Sequence, residues 1–139
     1  MRFWDASAII PLCVAQPWSA TARALWREDP GMVVWWGTSV ECGSVLARLG
    51  RAGALAGGKE DIARGLLRDL ERAWIEILPN EEVRAYAGRL VRSHALRTLD
   101  ALQLAAALSW MKLPEGGEIV VLDPRLAQAA RIEGLTARP

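Results

Sequence analysis

The amino-acid sequence predicts an α/β fold, in which helices cover both faces of a central parallel sheet of four to five strands. Short apolar runs alternate with helical segments along the chain, which is typical of parallel strands joined by crossover helices. The 139 residues suit a single domain, 1–139, and 52% of them are hydrophobic, which is enough to form a core. The sequence contains no linker, internal repeat or low-complexity tract.

The first half of the chain already shows the alternation. The run 32–36 is continuously apolar with two β-branched residues, as expected of a buried strand. Pro17 and Pro30 interrupt the helical pattern, and the segment 59–73 carries one apolar stripe at helical spacing. The predicted order is strand 2–5, helices 6–14 and 19–29, strand 32–36, helix 38–51, turn 53–58, helix 59–73 and strand 74–78.

The second half continues the pattern. The segment 98–112 is apolar nearly all round, so we expect a helix that is buried on most sides. Asp123 and Pro124 are a preferred N-cap and first helical residue, and Gly134 is predicted to end the last helix. The predicted order is helices 79–94 and 98–112, turn 114–117, strand 118–122 and helix 124–133.

Charge and cysteine content exclude several classes of protein. The net charge of +1 excludes a strong overall field for nucleic acid, so any such contact must be a local patch. Cys13 and Cys42 match neither a disulfide framework nor a zinc-ligand spacing. The chain shows no signal peptide, and no apolar stretch reaches the roughly 20 residues of a membrane span. We therefore expect a cytoplasmic protein without membrane contact.

Four acidic residues lie where a strand gives way to a helix, or in the first turn of a helix: Asp5, Glu41, Asp100 and Asp123. Three of them have a purely structural alternative. Asp5 and Asp123 stand at preferred N-cap positions, and Glu41 completes a capping-box pattern that begins at Thr38.

Asp100 is the strongest single signal, because the helix around it is almost entirely apolar. The helix dipole stabilises a carboxylate there by about 0.3–1 kcal/mol, whereas burying an unpaired charge costs several kcal/mol. Asp100 therefore needs a cation or a position in an open cleft. Arg97 is one candidate for the cation, and a functional role is the interpretation that we favour.

Together the four acids predict a metal site. The carboxyl ends of parallel strands meet at one edge of the sheet, where α/β folds bind ligands. Two carboxylates about 5 Å apart repel by roughly 3 kcal/mol at an effective dielectric of 20, so such a cluster requires a cation or protonation. Hard oxygen ligands without histidine or thiolate indicate Mg²⁺ or Mn²⁺.

These motifs resemble those of PIN-domain nucleases, and most closely the VapC toxins of type II toxin–antitoxin pairs. The resemblance covers essentially the whole chain and rests on four motifs: Asp5-Ala6-Ser7, Thr38-Ser39-Val40-Glu41, the segment 97–107 around Asp100, and Val120-Val121-Leu122-Asp123. It implies a PIN-like three-layer sandwich and a metal-dependent endoribonuclease that cuts RNA. It also implies a cognate antitoxin, a homodimer, metal binding by the four acids, and support from Ser7.

One position departs from the family pattern. The family often has Thr or Ser two residues before the last acid, and this chain has Val121 there. The lost hydroxyl keeps an alternative open, namely a catalytically impaired PIN-like module that binds RNA or protein without cutting. Thr38 and Arg97 complete the set of residues that we expect to support the site, and Arg97 and Arg125 are candidates for contacts with the RNA backbone.

Overall fold

The computed structural model describes residues 1–112 and 117–139 and contains a five-stranded parallel sheet with the order β3-β2-β1-β4-β5. Its strands are β1 (Arg2–Trp4), β2 (Met32–Trp35), β3 (Ile75–Ile77), β4 (Glu118–Val120) and β5 (Thr136–Arg138). The central strand is therefore β1, with β2 and β4 on either side of it. This order places the ends of three strands side by side at the middle of the sheet.

Helices connect the strands, as the sequence predicts. In the described residues they are α1 (Ala6–Cys13), α2 (Ser19–Glu28), α3 (Thr38–Arg51), α4 (Lys59–Glu71), α5 (Glu81–Ser93), α6 (Thr98–Met111) and α7 (Pro124–Ile132). The α/β fold with helices on both faces of a parallel sheet is confirmed. None of the helices in 1–112 and 117–139 is long and apolar enough to cross a membrane.

Two apolar cores lie on the two faces of the sheet, because successive strand residues point to opposite faces. Phe3, in β1, packs in the core that α5, α6 and α7 cover, whereas Trp4 packs in the core under α1 to α4. Val33 and Val34 divide between the two cores in the same way. The sheet is thus buried on both faces, and its edges are the places where polar groups can gather.

The last strand, β5, has no counterpart among the predicted elements. It forms because Gly134, at φ 90°, reverses the chain after α7. The N–H of Leu135 donates to the carbonyl of Ala130, and that of Gly134 to Arg131, which is the double hydrogen bond of a Schellman motif. The chain then pairs with β4, so that Gly134 ends the helix as predicted. The predicted turn at 114–117 falls mainly on residues 113–116, outside the described part.

Candidate metal centre

The four predicted acids lie at the carboxyl edge of the sheet. Asp5 directly follows the central strand β1, and Glu41 lies in the first turn of α3, which follows β2. Asp123 follows β4 and caps α7, while Asp100 lies in the first turn of α6. Each position is set by a strand-to-helix junction or by a helix start, which is why residues from distant parts of the sequence meet there.

Asp5 is the innermost of these acids and is only 4% exposed. Its Oδ2 accepts a hydrogen bond of 2.9 Å from the backbone N–H of Ser7 and a second one from the Ser7 hydroxyl. Burial raises the pKa of Asp5 to about 6; the Ser7 hydrogen bonds oppose this rise, and the charges of Glu41 and Asp100 add to it. The predicted N-cap role is therefore real, and Asp5 also faces other acids.

Ser7 joins two strand ends at this site. Its hydroxyl donates to Asp5 and accepts a hydrogen bond of 2.9 Å from the backbone N–H of Leu122, which follows β4. The side chain therefore holds the Asp5 carboxylate in one orientation and ties it to the segment that leads to Asp123. This geometry supports the predicted role of Ser7 beside the first acid.

The capping-box alternative for Glu41 is wrong. The helix α3 already begins at Thr38, with Gly37 as its N-cap and no side-chain cap hydrogen bond. Glu41 Oε2 instead accepts a hydrogen bond of 3.0 Å from Nε2 of Gln103, in α6. Burial raises the pKa of Glu41, the Gln103 hydrogen bond counteracts it, and the charge of Asp100 raises it further.

Thr38 is fully buried and takes part through the same glutamine. Its hydroxyl donates to Oε1 of Gln103 at 3.3 Å, so that both ends of the amide are bound. The sequence did not single out Gln103, although a signal was present. It is the only polar side chain in the apolar run that follows Asp100, and it lies three residues later, on the same side of the helix.

Asp100 is half-buried at the start of α6 and is electrostatically coupled to the other acids. Burial raises its pKa, as does the charge of Asp123, whereas the backbone and charge of Arg97 and the charge of Arg125 lower it. Arg97 is exposed, and in residues 1–112 and 117–139 it forms no ion pair with Asp100 within 4.0 Å. Arg97 thus reduces the negative potential at Asp100 without neutralising it by direct contact.

Asp123 serves as N-cap of α7, as predicted. Its Oδ1 accepts hydrogen bonds of 2.9 Å from the backbone N–H groups of Arg125 and Leu126, with Pro124 as the first helical residue. Val121, two residues earlier, is 2% exposed and packs in the core that α5, α6 and α7 cover. The side chain at position 121 is therefore part of the apolar core.

The acids are neighbours without forming a closed cage. Asp100 raises the pKa of both Asp5 and Glu41, and Asp123 raises that of Asp100. Within the described residues, no three acidic, histidine or cysteine side chains are grouped closely enough to enclose a metal ion. Repulsion between like charges favours such separation when no cation is present.

The available donors suit a hard divalent cation. The four acids and Ser7 offer oxygen atoms only, which is the ligand type that Mg²⁺ and Mn²⁺ prefer. Cys42 is buried nearby, and burial raises the pKa of its thiol, which favours the uncharged thiol in the metal-free protein. The chemistry of the oxygen donor set fits magnesium or manganese.

A cleft of about 780 Å³ lies on the β2 side of the site, and Glu41 is the acid among its lining residues. Trp36, Val40 and Leu99 line it as well and are all exposed, Trp36 by 52%. The expectation that Trp36 ends a buried strand is wrong, because β2 ends at Trp35. An exposed apolar cleft next to an acidic site is an available surface for binding another molecule.

Comparison with known proteins identifies the family. The family model described as PIN domain matches residues 2–132 of this chain. The chain belongs to the PIN-domain family. The predicted PIN-like three-layer α/β sandwich is thereby confirmed. PIN-domain ribonucleases generally depend on divalent metal ions.

Two curated relatives place this PIN-domain chain among the VapC ribonucleases. It is 33% identical over 147 aligned positions to Ribonuclease VapC45 of Mycobacterium tuberculosis (strain CDC 1551 / Oshkosh). The same identity is found with Ribonuclease VapC49 of Mycobacterium tuberculosis (strain ATCC 25618 / H37Rv). Each alignment covers 99% of this chain and 94% of the relative, so the resemblance predicted from the motifs is confirmed over the full length.

Two solved structures share the fold at low sequence identity. One is described as a toxin-antitoxin complex from Klebsiella pneumoniae, with a TM-score of 0.66, 17% identity, and coverage of 98% of this chain and 96% of that chain. The other is FitAcB from Neisseria gonorrhoeae, also with a TM-score of 0.66 and 17% identity, covering 100% and 97%. At this identity the likeness shows the PIN-domain fold alone.

Proposed function

We propose that this PIN-domain protein is a Mg²⁺- or Mn²⁺-dependent endoribonuclease, the toxin of a type II toxin–antitoxin pair, which hydrolyses RNA phosphodiester bonds. The observation that carries the proposal is the gathering of Asp5, Glu41, Asp100 and Asp123 at one edge of the sheet, where Asp5, Glu41 and Asp100 each have a raised pKa. Perturbed carboxylates in an accessible site are typical of catalytic centres.

The four acids are assigned as metal ligands. When bound, the metal lowers the pKa of a coordinated water and stabilises negative charge on the phosphate. Ser7 orients the carboxylate of Asp5 through its two hydrogen bonds. The exposed guanidinium groups of Arg97 and Arg125, close enough to lower the pKa of Asp100, are assigned to the RNA backbone, where they hold a phosphate beside the acids.

A cleavage assay with a matched control tests the proposal. Purified protein is incubated with RNA in Mn²⁺, in Mg²⁺ or in EDTA, and Asp100→Asn is compared with Asp61→Asn. Both aspartates lie in the first turn of a helix, but Asp61 is exposed on α4, away from the sheet edge. We expect Asp100→Asn to lower the rate by on the order of 10²–10³-fold, and Asp61→Asn to leave the rate unchanged.

The same assay distinguishes the enzyme from a module that binds without cutting. Undiminished cleavage by Asp100→Asn would refute the assigned site. RNA that is shifted in a gel but never cut, in either metal, would favour the binding module. The burial of Val121 supports the enzyme over the binding module. Val121 replaces the hydroxyl residue that the family often has, and its side chain packs among apolar residues of the core.

The proposed partners are an RNA substrate, a cognate antitoxin and a second copy of the chain, in the cytoplasm. Two apolar areas at the surface support protein contacts. One is the cleft that contains Trp36, and the other is a groove of about 430 Å³ lined by Trp26, Leu66 and Leu70, among others. Light scattering on the purified chain is expected to give twice the monomer mass of 15.2 kDa. A monomer mass at micromolar concentration would refute the homodimer.

A further inference from the structure

Gln103 is an amide buried in the middle of an apolar helix. It is 0% exposed, and Leu104, Ala105, Ala106 and Ala107, which follow it, are apolar and equally buried. Burying an amide costs about 1–3 kcal/mol unless its hydrogen bonds are replaced, whereas a leucine of similar size would pack there without that cost. The hydrogen bonds of Gln103 are therefore the feature to explain.

These hydrogen bonds have a direction. The buried hydroxyl of Thr38 donates to Oε1 of Gln103, which turns the NH₂ group toward Glu41, and Nε2 donates to Glu41 Oε2 at 3.0 Å. An amide nitrogen only donates, and an ionised carboxylate only accepts. The chain of contacts from Thr38 through Gln103 therefore holds one oxygen of Glu41 in a defined place.

The arrangement also couples two of the acids. Gln103 lies one helical turn after Asp100 on the same side of α6. The same helix therefore holds both Asp100 and the amide that binds Glu41. Among the described hydrogen bonds, Oε1 of Glu41 accepts none, and so it remains available for another ligand.

We propose that Gln103, oriented by Thr38, is a positioning residue that presents the Glu41 carboxylate to the divalent cation. This inference rests on the proposed function, because it needs a cation at the carboxyl edge. Gln103 does not touch the cation; it acts through Glu41. Residues that orient metal ligands in this way typically change metal affinity or activity by about 10–100-fold when they are replaced.

The test measures Mn²⁺ affinity by titration calorimetry on the metal-free full-length protein, alongside its thermal unfolding. Gln103→Leu keeps the size of the side chain and removes both hydrogen bonds. Ser109→Ala is the matched control, because Ser109 is also buried in α6 and donates a hydrogen bond of 2.6 Å, but to Glu82. We expect Gln103→Leu to weaken Mn²⁺ binding at least about 10-fold, and Ser109→Ala to bind Mn²⁺ as the wild type does.

A second pair of variants keeps the proposal testable even if Gln103→Leu does not fold. Thr38→Val removes the hydroxyl that orients the amide, and Thr38→Ser retains it. We expect Thr38→Val to weaken Mn²⁺ binding several-fold and Thr38→Ser to recover most of the affinity. A role in packing alone would lower the melting temperature of these variants without changing their Mn²⁺ affinity.

The outcomes separate the two levels of the proposal. Wild-type Mn²⁺ affinity in both Gln103→Leu and Thr38→Val would overturn the role of Gln103 and leave the nuclease proposal standing. Wild-type protein that binds no Mn²⁺ at millimolar concentration would overturn the proposed function, and the role of Gln103 with it.

Discussion

The two ends of the sheet differ in whether their charged side chains form ion pairs. At the amino ends of β1 and β4, the side chain of Arg2 is 10% exposed and contacts both Glu118 and Glu28, the latter at 2.7 Å. It also donates to the carbonyl of Leu25 at 2.9 Å, and Arg138 lies within 3.8 Å of the same two glutamates. At the carboxyl ends, none of the acids has a comparable partner among the described residues.

The difference shows that this fold pairs the buried charge of Arg2 at one end of the sheet, whereas the acids at the other end have no ion-pair partner among the described residues. At the carboxyl edge, burial and mutual repulsion raise the pKa of Asp5 to about 6, which means that its charge destabilises the folded protein at neutral pH. Such uncompensated charge is expected where a ligand completes the structure. The following substitutions test this comparison, from the largest expected effect on stability to the smallest.

Breaking the paired end gives the largest effect on stability. Arg2→Met removes the cation that lies between Glu28 and Glu118 and leaves a buried position without its hydrogen bonds. We expect the free energy of unfolding, measured by urea denaturation, to fall by about 2–3 kcal/mol, because Glu118 and the buried carbonyl of Leu25 lose a charged hydrogen-bond donor. A loss below about 1 kcal/mol would show that the network at this end is a surface feature with little energetic weight.

Neutralising Asp5, at the carboxyl end of the sheet, is expected to raise the free energy of unfolding rather than lower it. Asp5 has a pKa of about 6 when folded and 3.8 as its reference value, so the folded protein binds more protons between these pH values. Stability from this group is therefore present below pH 4 and lost as the pH rises through 6. We expect Asp5→Asn to raise the unfolding free energy of the metal-free protein by about 2 kcal/mol at pH 7, while RNA cleavage is lost.

The pH series supplies the control for this prediction. The difference in stability between Asp5→Asn and the wild type is expected to shrink as the pH falls and to vanish below about pH 3, where the wild-type carboxyl is protonated in both the folded and the unfolded state. A variant that is less stable than the wild type at pH 7 would contradict the assignment of uncompensated charge to Asp5.

Replacing Ser7, which links the ends of β1 and β4, is expected to have an intermediate effect on stability. Ser7→Ala leaves the N–H of Leu122 without its acceptor and Asp5 without one of its donors. We expect a loss of about 1–2 kcal/mol in unfolding free energy, together with slower cleavage. Ser44→Ala, at an exposed position of α3, serves as the control and is expected to stay within about 0.5 kcal/mol of the wild type.

Restoring the family hydroxyl is expected to have the smallest effect. Val121→Thr places a hydroxyl in the apolar core and should lower the unfolding free energy by about 1 kcal/mol. We expect the rate of RNA cleavage to stay the same, because the side chain packs in the core beneath α6 and α7. A rate that rises several-fold in Val121→Thr would show instead that the missing hydroxyl limits activity.

Local patterns in the sequence carry much of the fold. The helix α3 spans Thr38–Arg51, the predicted range, and the four predicted strands are present with slightly shorter bounds. These elements follow from hydrophobic periodicity and from capping residues, which act over a few positions. The edge strand β5 was not predicted, because Thr136, Ala137 and Arg138 show no apolar run and become a strand only by pairing with β4.

The candidate site was predictable in outline and not in its contacts. The positions of Asp5, Glu41 and Asp123 at one edge follow from the parallel topology, because each lies where a strand leads into a helix, whereas Asp100 lies at the start of α6, which follows another helix. Which atoms these acids bind does not follow from the topology, since the Glu41 partner Gln103 is 62 residues away in sequence and no local pattern joins them. The capping-box pattern was misleading, because the helix begins one residue earlier than that motif requires.

We propose that the unpaired acids at the carboxyl edge hold a divalent cation. Crystals of the protein soaked in Mn²⁺ test it directly, because anomalous diffraction locates manganese independently of the protein model. We predict an anomalous peak at this edge with carboxylate oxygens of Asp5 and Asp100 among its ligands. A soak at saturating Mn²⁺ that leaves this edge without a peak, or that places manganese only elsewhere on the protein, would contradict the account.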